Sequence, residues 1–470
     1  AQKKACVKRV YKMKKWIFLL ICIAMSSGKA EYLELQSAYK QVLESNDGLK
    51  STQHAVQKQE KLNLASKMLY LPQVSLGAYY VRLQEPMNMH LVNQSQLGNL
   101  GGNIGGNPAL APLLQHLGQP VTLQDQNVIF GAVNIIYPIF TGGKRYFANK
   151  LSQIALEDSY LALKLKELSL FEDCVKLYYG VVLNKQILYT LESANSGHLT
   201  HYQNAQKLQN KGQIARLETL QAQVNYDKSS IDVKKASDNL IIANMALNAM
   251  LNRESKERLE LVKQIDIKQD ARLESLEYFI NKTLEVYPAL SLMDNKIKST
   301  KQLSHIEFST FLPEVGLFGS YMMNDNSSVL DKAMPNWFAG VGAKWSLITP
   351  GGRIQKYQAS KIASIEAELA KSQATKDLKT LCEKTYNEVL SFKSQYFSLQ
   401  SSIELANENL KLRQKAFLQG MSTSAEVSDA QNALALAIIE RQSVAYNYAI
   451  ALARLLSLSD EVDRFYGFFN

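Results

Sequence analysis

Apolar side chains occupy every second position from Trp337 to Leu347: Trp337, Ala339, Val341, Ala343, Trp345 and Leu347, while Gly340, Gly342, Lys344 and Ser346 take most of the other parity. A period of two sends alternate side chains to opposite faces, so the pattern predicts a strand over about 336–347 with one apolar face. Ile129, Val133, Ile135 and Tyr137 predict a second strand, about 127–140. Val74, Leu76, Ala78 and Tyr80 predict a third, about 72–83, starting at Pro72, and Pro313 starts a fourth, about 313–323. Trp337 and Trp345 are separated by about 27 Å at strand rise, close to the ~25 Å apolar band of a membrane barrel, and are expected to mark its two interfaces.

The chain is a duplication. "LPQVSLGAYY" at 71–80 returns as "LPEVGLFGSY" at 312–321. Cys174, Lys176, Tyr178 and Val181 meet Cys382, Lys384, Tyr386 and Val389 at a shift of 208, and the same shift brings Gly212, Glu218, Ala222 and Gln223 onto Gly420, Glu426, Ala430 and Gln431. One offset held by two separated blocks is the mark of a repeat. The Gly142-Gly143 and Gly351-Gly352 pairs align at 209, whereas the Leu-Pro segments align at 241, so the first half carries an insertion. Residues 84–126 contain it, and "NQSQLGNLGGNIGGNPALAP" reads as a flexible loop without apolar period.

Between the strands the composition is helical. After Gly143 only Gly180 and Gly197 interrupt the run to Gln209, which contains no proline. A continuous helix of that extent is on the order of 100 Å long. The expected helices are 143–211, 214–251, 352–419 and 423–457. Leu217, Leu220, Val224 and Ile231, and in the second half Ile403, Leu410 and Phe417, lie at heptad spacing and predict a packed seam. The resulting plan is a first repeat over 31–254, a connector over 255–272, a second repeat over 273–457 and a C-terminal tail over 458–470.

Composition changes this picture at the N-terminus. From Met13 the chain reads "MKKWIFLLICIAMSSGKA", a basic start, a short apolar run and small residues. Residues 1–30 are therefore expected to be a signal peptide, cut near Ser26–Ala30, behind an over-extended upstream piece. Cys22, flanked by large apolar residues, lacks the surroundings of a lipidated cysteine. The whole chain has 53 Lys and Arg against 43 Asp and Glu; without the eight basic residues of the leader the balance is 45 against 43. That charge gives no basis for nucleic-acid binding. Cys174 and Cys382, the only cysteines after the leader, are too few for a disulfide framework and are expected to pack as small apolar residues.

No chemistry passes its spacing test. Gly142-Gly143-Lys144 lacks the upstream glycine and following Ser/Thr of a phosphate loop, and the six histidines form no zinc-protease pattern. "MNMH" at Met87–His90 offers soft donors, but loop methionines of this kind are usually incidental. Neither catalysis nor a cofactor or bound metal is expected.

Four strands cannot close a membrane barrel, which needs about eight, and an open edge is forbidden in hydrocarbon. Several copies must share one barrel. The Leu-Pro strand starts, the junctions "YPIFTGGKR" and "WSLITPGGR" with Gly142, Gly143, Gly351 and Gly352, and the turns at Gly212 and Gly420 resemble the TolC family of outer-membrane efflux proteins over about Glu31 to Ser457. The resemblance implies a homotrimer with a twelve-stranded barrel in outer-membrane lipid and an α-helical tunnel across the periplasm. It also implies docking by a periplasmic adaptor and an inner-membrane transporter, in tripartite efflux or type I secretion. Glu426 and Asp429, one helical turn apart, stand where the family places the acidic ring of the periplasmic gate, with glutamate at 426 departing from the usual aspartate; Gly212 and Gly420 stand at the tips that meet the adaptor. A periplasmic coiled-coil scaffold without a barrel is the alternative, and it leaves the alternating strands unexplained.

Overall fold

A computed structural model describes residues 32–90, 119–255, 257, 259–324, 329–333 and 335–469. The expected signal peptide, Cys22 and the Gly/Asn-rich centre of the long loop lie outside these residues. The described chain is mainly helical with a four-stranded antiparallel sheet, and it divides into two compact units. One is built from the described parts of 32–57, 158–294 and 369–469, the other from 58–157 and 295–368.

Each half runs helix, helix, strand, strand, long helix, shorter helix. In the first half these are α1 (Leu35–Ser45), α2 (Asp47–Met68), β1 (Gln73–Arg82), β4 (Asn127–Thr141), α3 (Lys144–Asn210) and α4 (Arg216–Met250). In the second they are α5 (Leu276–Val286), α6 (Pro288–Ser309), β5 (Glu314–Asn324), β6 (Trp337–Lys344), α8 (Arg353–Leu418) and α9 (Ser424–Leu458), with a short α7 (Val329–Ala333) between β5 and β6. The opening helix of each half is broken for a local reason. Asn46 leaves the helical region and its Oδ1 accepts from the Leu49 amide, capping α2. Tyr287 is extended because it precedes Pro288, which sits in the first turn of α6 where no donor is needed.

The core belongs to the helical unit. Phe171, Tyr178, Tyr448, Leu452 and Phe465 are fully buried within it. The Tyr178 hydroxyl donates to the Leu33 carbonyl at 2.8 Å, which satisfies the one polar atom that the ring carries inward. Cys174 and Cys382 are buried free thiols, and burial pushes Cys174 up to about 12, so both behave as small apolar side chains. The C-terminal segment continues as a 3-10 turn over Val462–Phe468 whose Phe465 and Phe468 fill the same core.

The expected seam divides. Leu410 and Phe417 of α8 are buried and Ile403 is half-buried, but Leu217 and Val224 of α4 are 71% and 60% exposed, with Leu220 and Ile231 also at the surface. α4 turns its small side, Thr219, Ala222 and Ala236, toward its own chain, because alanines allow closer helix approach than leucines. Its larger apolar stripe is left outward.

The sheet runs in the order β1-β4-β5-β6, every pair antiparallel. β6 ends at Lys344, before Trp345 and Leu347. The reason lies opposite: Glu314 pairs with Lys344, so Trp345 faces Pro313, which has no amide to donate. The Trp345 indole instead donates to the Phe311 carbonyl at 3.0 Å. The long loop also departs from the expectation, since its described ends form a ribbon, β2 (Met87–His90) paired with β3 (Pro120–Gln124). The motif "MNMH" is therefore an exposed strand. Among the described residues no group of three or more His, Cys, Asp or Glu is placed to hold a metal, and no helix is long and apolar enough to cross a membrane.

Candidate functional site

The register carries one apolar face across all four strands. Val74, Leu76 and Tyr80 of β1 stand opposite Ile135, Val133 and Ile129 of β4. Val133 and Tyr137 stand opposite Tyr321 and Leu317 of β5, which in turn meet Trp337 and Val341 of β6. Most of these side chains are exposed, Leu76 at 74% and Val341 at 67%, while Val133 and Tyr137 are half-buried. The other face is mixed: Ser75, Gly77, Asn134, Ser320, Gly340 and Lys344 lie among Val81, Val128, Ile136, Met322 and several rings, with Tyr79 stacked on Phe130 at 5.0 Å. One side is apolar in every strand and the other mixes polar and small residues with its apolar ones, a difference that suits lipid on the first and water on the second. Both edges, β1 and β6, lack a neighbour among the described strands.

The two strand-to-helix junctions are built alike. Pro72 and Pro313 each immediately precede a strand. Gly142 and Gly143, and Gly351 and Gly352, all have positive φ, from 62° to 102°. A Cβ on Gly142 would stand 2.6 Å from the Ser309 carbonyl oxygen, so glycine is required there for space as well as conformation. Arg145 and Arg353, each just after its glycine pair, then clamp the two junctions. Arg145 donates to the carbonyls of Leu69 and Ile139 and lies over the Tyr70 ring. Arg353 donates to Thr310, Ser346 and Leu347 and lies over Phe311.

At the other end of the long helices the tips are also a matched pair. Gly212 and Gly420 have φ of 71° and 73°, and nothing lies within 4 Å of a Cβ added at either. The amide after each glycine returns to a carbonyl of the preceding helix, Gln213 to Leu208 and Met421 to Ala416, both at 2.9 Å. Glycine is needed here only for the left-handed turn that ends a helix.

The helix starts beyond the tips differ. Thr423 caps α9, its hydroxyl accepting from the Glu426 amide while the Glu426 carboxylate accepts from the Thr423 amide at 3.0 Å. Ser422 donates to the same carboxylate at 2.7 Å and Arg413 pairs with it at 3.0 Å. These contacts, Ser422 foremost, hold Glu426 below the usual carboxylate range. Its counterpart Glu218 follows an Ala215 cap that has no side-chain oxygen, and reaches across instead, accepting from the Ser424 amide at 2.6 Å. Asp429, one turn beyond Glu426, is exposed and has no hydrogen-bond or ion-pair partner among the described residues. The two acidic residues expected at the gate thus share α9 but not a condition, one fixed and one free. Arg413 and Glu218 were not singled out as site residues by the motif; the bare Ala215 ahead of a third-position glutamate was the available signal.

The sequence pattern that defines the outer membrane efflux proteins matches residues 38–253 and 279–459, one match to each half. The chain belongs to that family. Solved structures of similar fold include the outer-membrane protein VceC of Vibrio cholerae, 13% identical with a TM-score of 0.71, covering 90% of this chain and 96% of that one. The CmeC outer membrane channel of Campylobacter jejuni is 16% identical with a TM-score of 0.68 over 91% and 86% of the two chains. The open-state MtrE outer membrane channel of Neisseria gonorrhoeae is 15% identical with a TM-score of 0.68 over 91% and 89%. No curated protein matches by sequence. As an outer membrane efflux protein the chain is an outer-membrane channel with a large helical periplasmic part, in a family of transport proteins and not of enzymes.

Proposed function

We propose that three copies of this chain close one twelve-stranded barrel and continue it as a helical duct that exports cargo passively, driven by its partners. The open-edged sheet carries this reading. Because the strands alternate direction, β6 of one copy runs antiparallel to β1 of the next, so each added copy extends the same ladder until it closes. The outward stripe of α4, Leu217, Leu220, Val224 and Ile231, supplies a helical interface of the same symmetry. Trp337, at the start of β6, and Trp345, just beyond its end, bracket the apolar band as interface aromatics. The tips at Gly212 and Gly420 receive a periplasmic adaptor, which couples the duct to an inner-membrane transporter. Asp429 supplies the mobile carboxylate of the closing ring, and Glu426 adds charge from a fixed position. Native mass spectrometry of detergent-extracted outer membranes tests the assembly: a trimer of the mature chain is expected, and a monomer or dimer overturns the shared barrel.

A further inference from the structure

Behind the two tips, four helices of the helical unit close on a pair of histidines. His201 of α3 is 7% exposed, its ring centroid 4.5 Å from that of Phe417 on α8, and its Nε2 is buried without a hydrogen-bond partner. One turn back, His198 is also buried, and its Nε2 meets the Asn432 Oδ1 of α9 at 3.1 Å. Ala205 of α3, Ala222 of α4, Phe417 of α8 and Val427 of α9 form the apolar cluster beside them. A cavity of 330 Å³ lined by Thr200, His201, Asn204, Gln414 and Phe417 opens alongside.

The charges around this ring are few. α4 contributes Glu218, whose carboxylate is held at the Ser424 amide. From α8 and α9, Arg413 and Glu426 are paired with each other. α9 otherwise presents the uncharged Gln431 and Asn432, and Lys207, Lys211 and Asp429 lie at the surface. A protonated His201 therefore has no anion free to meet it except Glu218, which is already engaged.

We infer that His201 is an acid-sensitive wedge: protonation there drives the ring out of its contact with Phe417 toward the neighbouring cavity and draws Glu218 off the start of α9, so that both tips loosen. As a device for the gate this rests on the tips being the closing end of the duct; the change in packing does not. The sign follows from the ring's environment. Burial, helped by neighbouring His198 and opposed by Glu218, lowers His201 to about 4 from its ordinary 6.5. The packed tip thus binds fewer protons than the loosened one, keeps its full stability above about pH 6.5, and loses it as pH falls toward 4.

Hydrogen exchange of the assembled protein, corrected for the intrinsic pH dependence of exchange, reads the loosening directly. Amides of 202–222 and 414–428 should open on the order of thirtyfold more often at pH 5 than at pH 7.5, the ratio for a ring titrating near 4 packed and 6.5 released. His201→Gln should flatten this response, and a flat wild type or an undiminished response in the variant overturns the inference. Should that variant fail to assemble, Glu218→Gln keeps an acceptor for Ser424 but removes the counter-charge, and should move the acid midpoint to lower pH; an unmoved midpoint equally overturns it. Cation selectivity measured on Asp429→Asn separates the two ideas, since it reports on the acidic ring and is blind to how the tip helices pack.

Discussion

Glu218 and Glu426 occupy equivalent places in the repeat and both end up serving the start of α9. A carboxylate at the third position of a helix is stabilised by the unpaired amides of the first turn. Glu426 meets that demand in its own helix, together with Arg413, and is not free to respond to a passing ion. Asp429 is. Asp429→Asn should therefore lower the cation preference and divalent block of channels in planar bilayers while leaving the tips as protease-resistant as before. Glu426→Gln should do the reverse, speeding tryptic cleavage at Arg413 or Lys415 with a smaller effect on selectivity; if reversal potentials of the Asp429 variant match wild type, the ring is placed wrongly. At the turns themselves, Gly212→Ala and Gly420→Ala force a Cβ into the left-handed region. Each should destabilise its tip by about 1 kcal/mol, read as faster local exchange with the distant core unchanged.

At the scale of elements, α4 carries the larger surprise, because the side of it that looked most like a buried seam faces away from its own chain. Leu220→Glu combined with Val224→Glu should leave the helical content of one chain intact, since neither side chain is packed in it, yet prevent the trimer from forming. Size-exclusion light scattering with circular dichroism checks both halves of that statement, and a trimer that survives the double change removes α4 from the interface. The same element shows what sequence can and cannot convey. Heptad spacing fixes which residues share a face, but the direction of that face depends on the small residues on the opposite side, Ala222 and Ala236, and on which helices arrive there. The four strands were legible because alternation is local, and the register then brought the alternating positions that predicted them onto one face. The end of β6 was not legible: Trp345 and Leu347 keep the alternation, but Pro313 across the ladder, remote in sequence, and the Arg353 clamp a few residues downstream take the backbone out of the sheet. Histidines 198 and 201 carry no motif at all, and only the meeting of four helices gives them a neighbourhood.

For the whole molecule, the decisive question is which side of the sheet meets lipid. One face is apolar in every strand and largely exposed, while the opposite face carries Asn134, Ser320 and Lys344 among its apolar side chains. In a closed barrel the two faces have different solvents, and a charge is costly on only one of them. An arginine near the midplane of a barrel's lipid face costs about 2–4 kcal/mol, whereas one in the lumen stays hydrated. Val341→Arg, at the centre of β6 with its side chain on the apolar face, should therefore reduce insertion and trimer yield sharply. Ser320→Arg, on the opposite face, should insert and assemble normally and shift conductance toward anions. Both substitutions introduce the same side chain into neighbouring strands, so differences in strand propensity nearly cancel and the comparison isolates the solvent on each side. Equal tolerance of the two in heat-modifiability gels of outer membranes would mean that the sheet does not separate lipid from water, and a barrel shared between copies would lose its physical basis.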